Sequence, residues 1–272
     1  MFKKVTSDVL TDFRLIYHQT TGYSNPIIES VLYQNRKGCD MYYWGDLIDG
    51  NYLIFHRSGF SHINLNPFDK SINQNFFKEL DNFMEKNSEV PEYLLFYHAP
   101  KNLINYWKKQ KKKHFKIRRR RRYQIDENFI MTLDESHFSP PANHELRSLH
   151  DCPYDDLASF NLSLESKFYD SKEEFLSKSY GFVLYNENKK PTSLIFLICL
   201  VGRNGEHSVT TLPEFRNKGY GHLVTINCVR ESIARKINFG WDVFVENHSN
   251  NWAQKNNYGK IIHEYDLISF LK

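Results

Sequence analysis

Residues 209–221 read VTTLPEFRNKGYG, and this stretch decides what kind of fold and site the chain can build. A β-prone segment ends at Pro213, and Gly219 and Gly221 come just before a run with helical periodicity. Glycines let backbone N–H groups approach a ligand closely, and a helix N-terminus favours negative charge. A lysine and an arginine in the same turn add positive charge. The sequence therefore predicts a pyrophosphate-binding turn between a strand and a helix.

The glycine spacing excludes the two common nucleotide motifs. Neither G-x-x-x-x-G-K-[ST] nor G-x-G-x-x-G is present in this stretch. ATP and NAD are therefore not the expected ligands, and a different phosphorylated cofactor is. The alternative interpretation of the same residues is an ordinary helix start with no ligand.

The elements around this turn alternate between helix and strand. Residues 181–185 and 191–201 are apolar runs joined by the polar turn NENKK, and residues 206–212 follow as a third strand. We expect these three strands to form an antiparallel meander. The other elements predicted in this half are helices at 153–168, 171–179, 222–237 and 250–256, and strands at 239–245 and 261–271.

The sequence pattern of the N-terminal half predicts a separate α/β domain. Residues 71–86 have the apolar spacing of an amphipathic helix, residues 92–99 (EYLLFYHA) indicate a buried strand, and residues 101–113 indicate a second helix. The pattern breaks at DESHFSPPAN, which has the paired prolines of an extended connection. We predict two domains, residues 1–139 and residues 140–272.

Positive charge is concentrated in one segment. The chain has 272 residues and a net charge of +4, but residues 108–123 alone hold eleven lysines or arginines and no acid. Such a stripe can bind nucleic acid or an acidic membrane through phosphate neutralisation. It can equally be the basic end of a helix followed by a strand from about residue 117 to 125. Five consecutive arginines on that strand must alternate between faces, so some are expected to point inward, meeting acids or lining a cleft for an anionic ligand.

Composition excludes several other classes. With 40% hydrophobic residues the chain can form a globular core, and its longest apolar run, residues 194–201, is too short to cross a bilayer. The four cysteines lack C-x-x-C spacing and the twelve histidines form no H-x-x-x-H pair, so we expect neither disulfides nor a metal site. Residues 1–13 have no secretory pattern. We expect a cytoplasmic protein.

Taken together, the strand before the turn, the order of elements and the later NHSNNWAQKNNY resemble the GNAT family of acetyl-CoA-dependent N-acetyltransferases, over residues 153–272. RNKGYG is similar to the family's pyrophosphate loop. Trp241-Asp242, Asn247-x-Ser249 and Ala253-x-Lys255 resemble a two-domain bacterial subgroup. The resemblance implies a mixed, mostly antiparallel sheet flanked by helices in the C-terminal half. It also implies an N-terminal domain that shapes the acceptor pocket.

The resemblance assigns cofactor contacts along the turn and beyond it. The strand would bind the pantetheine arm through its backbone, with one N–H polarising the thioester carbonyl. The loop would hold the pyrophosphate, and the later segment would contact the other side of the cofactor. The residues implied to bind acetyl-CoA are Val209, Thr210, Thr211, Arg216, Asn217, Lys218, Gly219, Tyr220, Gly221, His222, Asn247 and Ser249.

The catalytic residues implied by the resemblance are Glu206, Asn247 and Tyr258. Glu206 matches the position from which relatives use a carboxylate as general base, and burial beside apolar neighbours is expected to raise its pKa. A structural cap or salt bridge is the alternative role for Glu206. The family commonly has a tyrosine as general acid where this chain has Ala253. Tyr258 is the substitute candidate, although it also matches an aromatic core position.

The leading hypothesis is an acetyltransferase acting on the primary amine of a small molecule, with acetyl-CoA as acyl donor, no metal and no membrane partner. Two alternatives stay open. The first is a GNAT-fold module that binds CoA without catalysis, consistent with Ala253. The second is an RNA-directed or ribosome-directed transferase that uses residues 108–122. The sequence is compatible with a monomer or a homodimer.

Overall fold

The computed structural model describes residues 2–20, 26–33, 38–97, 99–110, 115–160, 168–169, 171–247, 256 and 258–271. Within these ranges the chain forms twelve strands and eight α-helices. The strands are β1 (Phe2–Lys4), β2 (Cys39–Trp44), β3 (Tyr52–His56), β4 (Phe60–Asn64), β5 (Tyr93–Tyr97), β6 (Phe115–Ile125), β7 (Glu145–Ser148), β8 (Gly181–Tyr185), β9 (Pro191–Val201), β10 (Asn204–Thr211), β11 (Asn238–Phe244) and β12 (Gly259–Leu271). The helices are α1 (Leu10–Thr20), α2 (Pro26–Tyr33), α3 (Gln74–Lys86), α4 (Lys101–Lys109), α5 (Glu127–Thr132), α6 (Tyr154–Ala158), α7 (Lys172–Lys178) and α8 (Tyr220–Ala234).

Contacts between Cα atoms group the chain into two compact units. The first unit consists of Met1–Arg120, Phe244–Glu246 and Glu264–Lys272, and the second of Arg121–Val243 and Asn247–His263. Strands β6, β11 and β12 therefore contribute residues to both units. The predicted division into domains of residues 1–139 and 140–272 is not the same as this grouping, and it stays a prediction.

The first unit is an α/β arrangement. Strands β1 to β4 pair antiparallel in chain order, β4 pairs parallel with β5, and β5 pairs antiparallel with β12. Leu80 of α3 and Trp107 of α4 are fully buried with Leu94, Phe96 and Ile268 from the strands. The helix predicted at residues 71–86 starts only at Gln74. The cause lies at its N-cap, where the Asn73 side chain accepts the N–H groups of Asn75 and Phe76.

The second unit contains the predicted antiparallel meander. Strands β8 and β9 have the predicted bounds, and β10 begins two residues earlier than predicted. Strand β7 pairs with β8 and was not expected from its sequence, ELRS, because only one of its four residues is apolar. Strand β11 pairs with β10 in parallel. The C-terminal half thus has the predicted mixed, mostly antiparallel sheet flanked by helices.

Helix α8 packs on the meander and carries the predicted apolar face. Leu223, Ile226 and Val229 are buried with Ile195 and Leu197 of β9. The helix begins at Tyr220 rather than at the predicted residue 222. This earlier start places the two glycines of the RNKGYG motif at the boundary of the helix itself.

Strand β6 confirms the strand predicted within the basic segment, with two extra residues at its start. Its arginines differ in exposure along the strand rather than only between its faces: Arg118 and Arg119 are exposed, whereas Arg122, on the same face as Arg118, is buried. The helix predicted at 250–256 and the centre of the one predicted at 153–168 lie outside the described residues. Helix α6 covers the start of the latter.

Candidate functional site

Strands β10 and β11 pair over only a short length. Their parallel register runs from Asn204–Asn238 to Glu206–Gly240, while β10 continues alongside β9 as far as Thr211–Ser193. A bulge lies between Glu206 and His207, where the register with β9 shifts. Bulges bend a strand and end its pairing. In the described part of the chain, β10 beyond Glu206 therefore has a strand partner on one edge only.

The backbone of β10 directs alternate N–H groups to this open edge. Leu212 N–H donates to Thr192 O on the β9 side at 3.0 Å. Thr211 O points the other way and accepts a bond from Arg216 Nε at 3.2 Å. Because strand residues alternate, the backbone groups of Val209 face the same way as those of Thr211. The open edge thus presents two N–H groups spaced along one strand.

Thr210 has the opposite orientation. Its carbonyl accepts a hydrogen bond from Ser193 Oγ of β9 at 3.2 Å. The predicted backbone contacts of residues 209–211 are thus divided by the strand between two edges.

The loop after β10 forms a concave set of backbone donors. Asn217 has φ of 62° and Gly219 has φ of 80°, both left-handed, and α8 starts directly afterwards. N–H groups in the first turn of a helix have no intrahelical acceptor, and alternating left-handed residues turn further N–H groups the same way. A Cβ at Gly219 would meet nothing within 4 Å, so the space above the loop is open. Arg216 and Lys218 are exposed beside it.

Gly221 joins this loop closely to the end of β10. A Cβ at Gly221 would lie 2.9 Å from Thr211 Oγ1, which itself is 2.8 Å from Ser193 Oγ. A larger residue would push the helix away from the strand. The loop of backbone donors at residues 217–221, hereafter the donor loop, therefore lies directly beside the end of the open strand edge.

Two of the side chains predicted to bind the cofactor contact other protein residues instead. The Tyr220 hydroxyl hydrogen-bonds His144 Nε2 at 2.8 Å. The His222 ring stacks on Tyr258 with centroids 5.5 Å apart, and burial lowers the pKa of His222 to about 4. His222 is therefore neutral at pH 7. These residues can contribute backbone N–H groups to an anion, but the His222 ring carries no charge for it.

Glu206 is buried and forms a salt bridge with an arginine that is distant in the sequence. Arg122 Nη1 of β6 donates to Glu206 Oε2 at 2.8 Å, and the two side chains are only 10% and 8% exposed. Asp242 Oδ2 of β11 lies 4.0 Å from the same Nη1. An adjacent guanidinium stabilises the ionised carboxylate and opposes the effect of burial. The sequence prediction that some arginines of this strand point inward and meet acids is confirmed.

The sequence of the chain also matches a known protein family. A family model described as GNAT acetyltransferase matches residues 68–268, which is well over half of the chain. The chain belongs to the GNAT acetyltransferase family. The resemblance seen in the sequence is thereby confirmed, and the match extends upstream of the segment that carried it. GNAT membership supports acetyl transfer as the general chemistry.

Several solved structures share the GNAT fold. A GCN5-related N-acetyltransferase-like protein from Streptococcus suis has a TM-score of 0.71 and 12% identity, over 96% of this chain and 98% of that chain. A GCN5-related glucosamine N-acetyltransferase region in a fungal multi-domain β-N-acetylglucosaminidase has a TM-score of 0.66 and 12% identity, over 99% and 38%. A tandem GNAT protein from the clavulanic acid biosynthesis pathway has a TM-score of 0.64 and 9% identity, over 100% and 98%. No curated protein matched the chain by sequence.

The remaining GNAT residues named from the sequence lie in three different settings. Tyr258 is 4% exposed, within the core, between the rings of Phe129 and His222, and burial raises its pKa. Asn247 is exposed just after β11. Ser249 lies outside the described residues, as does Ala253. The roles of Tyr258, Asn247 and Ser249 stay predictions.

Arg122 and Asp242 are the site residues that sequence reasoning did not assign. The alternation of the five arginines indicated an inward one without saying which. Asp242 was visible only as half of the Trp241-Asp242 pair, whose tryptophan is indeed buried. Among the described residues, no cluster of three potential metal ligands occurs, and no helix has the length and hydropathy needed to cross a membrane.

Gly240 is expected to be essential for this arrangement. A Cβ there would lie 2.3 Å from Gly205 O, 2.7 Å from Glu206 Oε2 and 2.9 Å from Arg122 Nη2. Gly240→Ala should therefore lower the free energy of unfolding by about 1–3 kcal/mol or more, measured by urea unfolding. Gly205→Ala is the control, because its Cβ would meet only side-chain atoms. Equal losses in both variants would contradict the steric argument.

His207, on the other side of the bulge, is expected to make stability pH-dependent. Burial, followed by the charge of Arg122, lowers the pKa of His207 from 6.5 to about 3, and its ring stacks on Phe239 at 4.1 Å. The unfolded chain therefore binds a proton between pH 6.5 and 3 that the folded chain does not. This contribution to stability is complete above pH 6.5 and falls by about 2 kcal/mol between pH 7 and pH 5.

Urea unfolding at pH 7 and pH 5 measures the contribution of His207. His207→Gln should reduce the difference between the two pH values by about 2 kcal/mol relative to the wild type. The exposed His150 provides the control, since His150→Gln should leave the difference unchanged. The prediction is wrong if both variants keep the wild-type difference.

Proposed function

We propose that the chain is an N-acetyltransferase that moves an acetyl group from acetyl-CoA to the primary amine of a small molecule. Family membership supports acetyl transfer in general. The proposal depends on one observation: a single strand edge runs from a buried carboxylate, Glu206, to a loop of backbone donors at residues 217–221. The reaction requires a base near the thioester and an anion site for the pyrophosphate of the cofactor.

The residues present fit acetyl-CoA. The N–H groups of Val209 and Thr211 face the open edge, where they can bond the amide groups of a pantetheine arm. The donor loop and the first turn of α8 suit a pyrophosphate. Gly219 leaves open space where another residue would place a side chain. When bound, acetyl-CoA supplies a thioester whose carbonyl carbon is attacked by the amine and whose thiol departs.

The protein's own part in the reaction is to accept one proton, to donate another and to stabilise one developing charge. Glu206 accepts the proton that the acceptor ammonium must lose before its nitrogen can attack, directly or through one water. The N–H groups of the open edge stabilise negative charge on the carbonyl oxygen. Burial raises the pKa of Tyr258 above its ordinary value, so the hydroxyl carries its proton at neutral pH, as a general acid must. Tyr258 remains the proposed proton donor to the departing thiolate.

The basic segment supports the small-molecule proposal better than the nucleic-acid alternative. Arg118 bonds Glu246 at 2.6 Å, Arg119 bonds Glu264 at 3.0 Å, and Arg122 is buried. Phosphate binding would have to compete with these ion pairs. Only part of the predicted stripe is described, since residues 111–114 lie outside the described ranges.

The test is calorimetric titration of the protein with acetyl-CoA and with CoA, followed by measurement of thiol release with a panel of primary amines. Glucosamine belongs in the panel because one neighbour in fold is described as a glucosamine N-acetyltransferase region. We expect binding of both ligands and turnover with at least one amine. Failure to bind any acyl-CoA would overturn the proposal.

Two further outcomes would select the alternatives. Binding without turnover across the panel would indicate a CoA-binding module without catalysis. An RNA complex whose affinity falls steeply with salt, together with acetylation of RNA-bound amines, would favour the RNA-directed enzyme.

A further inference from the structure

We infer that Arg122 is the positioning residue of the general base, holding Glu206 ionised and fixed in orientation while the acceptor amine loses its proton. This inference rests on the proposed function, because it needs Glu206 to be the proton acceptor. It assigns a role to one arginine of the basic segment, whose exposed Arg118 and Arg119 pair instead with Glu246 and Glu264.

The geometry brings the guanidinium to the carboxylate across an intervening strand. Arg122 belongs to β6 and Glu206 to β10, and Gly240 of β11 lies against both charged groups. A Cβ at Gly240 would be 2.7 Å from Glu206 Oε2 and 2.9 Å from Arg122 Nη2. The missing side chain is what allows the 2.8 Å bond between them. A charge-assisted hydrogen bond in a buried setting fixes the carboxylate more strongly than a solvent-exposed one.

Among the described residues, titratable or charged groups lie near Glu206 on β6, on β11 and on β10 itself. Arg122 on β6 favours the ionised carboxylate. Asp242 on β11 shares that guanidinium at 4.0 Å and, as a like charge, raises the proton affinity of Glu206. His207, the next residue on β10, is neutral at pH 7 because its pKa is about 3. The two charged neighbours thus oppose each other in setting how readily Glu206 takes a proton.

Arg122 acts only through Glu206. An ionised carboxylate has about four acceptor positions, so a carboxylate held by Arg122 can still take up a proton from the acceptor. During the reaction one proton passes from the ammonium nitrogen to the carboxylate, and the nitrogen lone pair forms the bond to the acetyl carbon. The C–S bond then breaks with its electron pair going to sulfur, the thiolate is protonated by the general acid, and the second proton leaves the nitrogen for solvent. Arg122 stays protonated throughout. Without Arg122, a buried carboxylate would be protonated at higher pH and free to rotate.

The test compares Arg122→Met and Arg122→Lys with Arg118→Met as a matched control. Arg118 is on the same strand, is also paired with a glutamate, and has a side chain that is 42% exposed. Both Arg122 variants should bind acetyl-CoA as the wild type does, because neither touches the donor loop. In Arg122→Met, kcat should fall by about 10- to 100-fold, and the acidic limb of the kcat/KM profile should move up by about one pH unit.

Arg122→Lys separates positioning from folding. It keeps the charge, so its acidic limb should stay near the wild-type position while kcat still falls because the bonding geometry is lost. Arg118→Met should match the wild type in both readouts. Wild-type kcat and an unmoved acidic limb in Arg122→Met would overturn the inference. So would equal effects in Arg118→Met.

A readout without turnover keeps this inference separate from the proposed function. In protein labelled with ¹³C at glutamate carboxyl carbons, the resonance of Glu206 can be assigned by its loss in Glu206→Gln. That resonance should titrate at a higher pH in Arg122→Met than in the wild type. An unchanged titration would refute the role of Arg122 even in an active enzyme. A shifted titration in a protein that turns over no amine would leave the electrostatic role standing and refute the proposed reaction instead.

Discussion

Replacing Gly219 with glutamate is expected to weaken acetyl-CoA binding by about 100-fold or more while the protein stays folded. The φ of 80° at this position costs any other residue about 1–2 kcal/mol, but a Cβ there meets no atom within 4 Å. The new carboxylate would stand at the N-terminus of α8. It would compete for the backbone donors of residues 217–221 and repel a pyrophosphate.

Gly202→Glu is a closely matched control for this variant. Gly202 also has a positive φ, 58°, also has open space around its Cβ position, and lies in the turn between β9 and β10. The two variants therefore share the backbone strain and the added charge but differ in distance along β10 from the donor loop. Calorimetric titration should give wild-type affinity for Gly202→Glu. If Gly219→Glu also keeps wild-type affinity, the loop does not hold the pyrophosphate.

Replacing Glu206 with glutamine should lower kcat by about 100-fold or more and leave acetyl-CoA affinity nearly unchanged. Glutamine has the same shape, and its carbonyl oxygen can still accept the bond from Arg122, so the packing at Gly240 should survive. What is lost is the ability to take a proton. The acidic limb of the pH profile should disappear with it, since the titrating group is gone.

Glu246→Gln is the control for the glutamate substitution. Glu246 also bonds an arginine of β6, at 2.6 Å, but its side chain is 52% exposed. Its loss should leave kcat and the pH profile unaltered. A Glu206→Gln enzyme with half of the wild-type kcat would mean that Glu206 has a structural role only, as the salt-bridge alternative holds.

The parts of the fold that the sequence predicted well depend on local patterns. Apolar runs bounded by turn residues gave β8 and β9 with their correct bounds, and helical spacing gave α3 and α8 within three residues at their starts. Helix starts were missed by these few residues because a cap depends on one side chain or one φ angle, such as Asn73 or Gly219. Strand β7 was missed because strand pairing, rather than its own composition, makes it a strand.

The site was predictable only where its residues are contiguous. The donor loop and Glu206 lie within one segment of sequence, so a motif could indicate them. Arg122 lies 84 residues before Glu206, and only the order of strands brings the two together. The sequence also could not predict which backbone groups of residues 209–211 face the open edge. That orientation depends on which edge of β10 pairs with β9.

The pairing of β5 with β12 has a consequence for biosynthesis. Leu267 lies opposite Tyr97, so the register closes a loop of roughly 170 residues, a contact of high sequence separation that forms slowly. During translation, the first unit must wait with the β12 side of β5 unpaired until the whole second unit has left the ribosome. The first unit therefore completes its sheet only after the second unit has been synthesised.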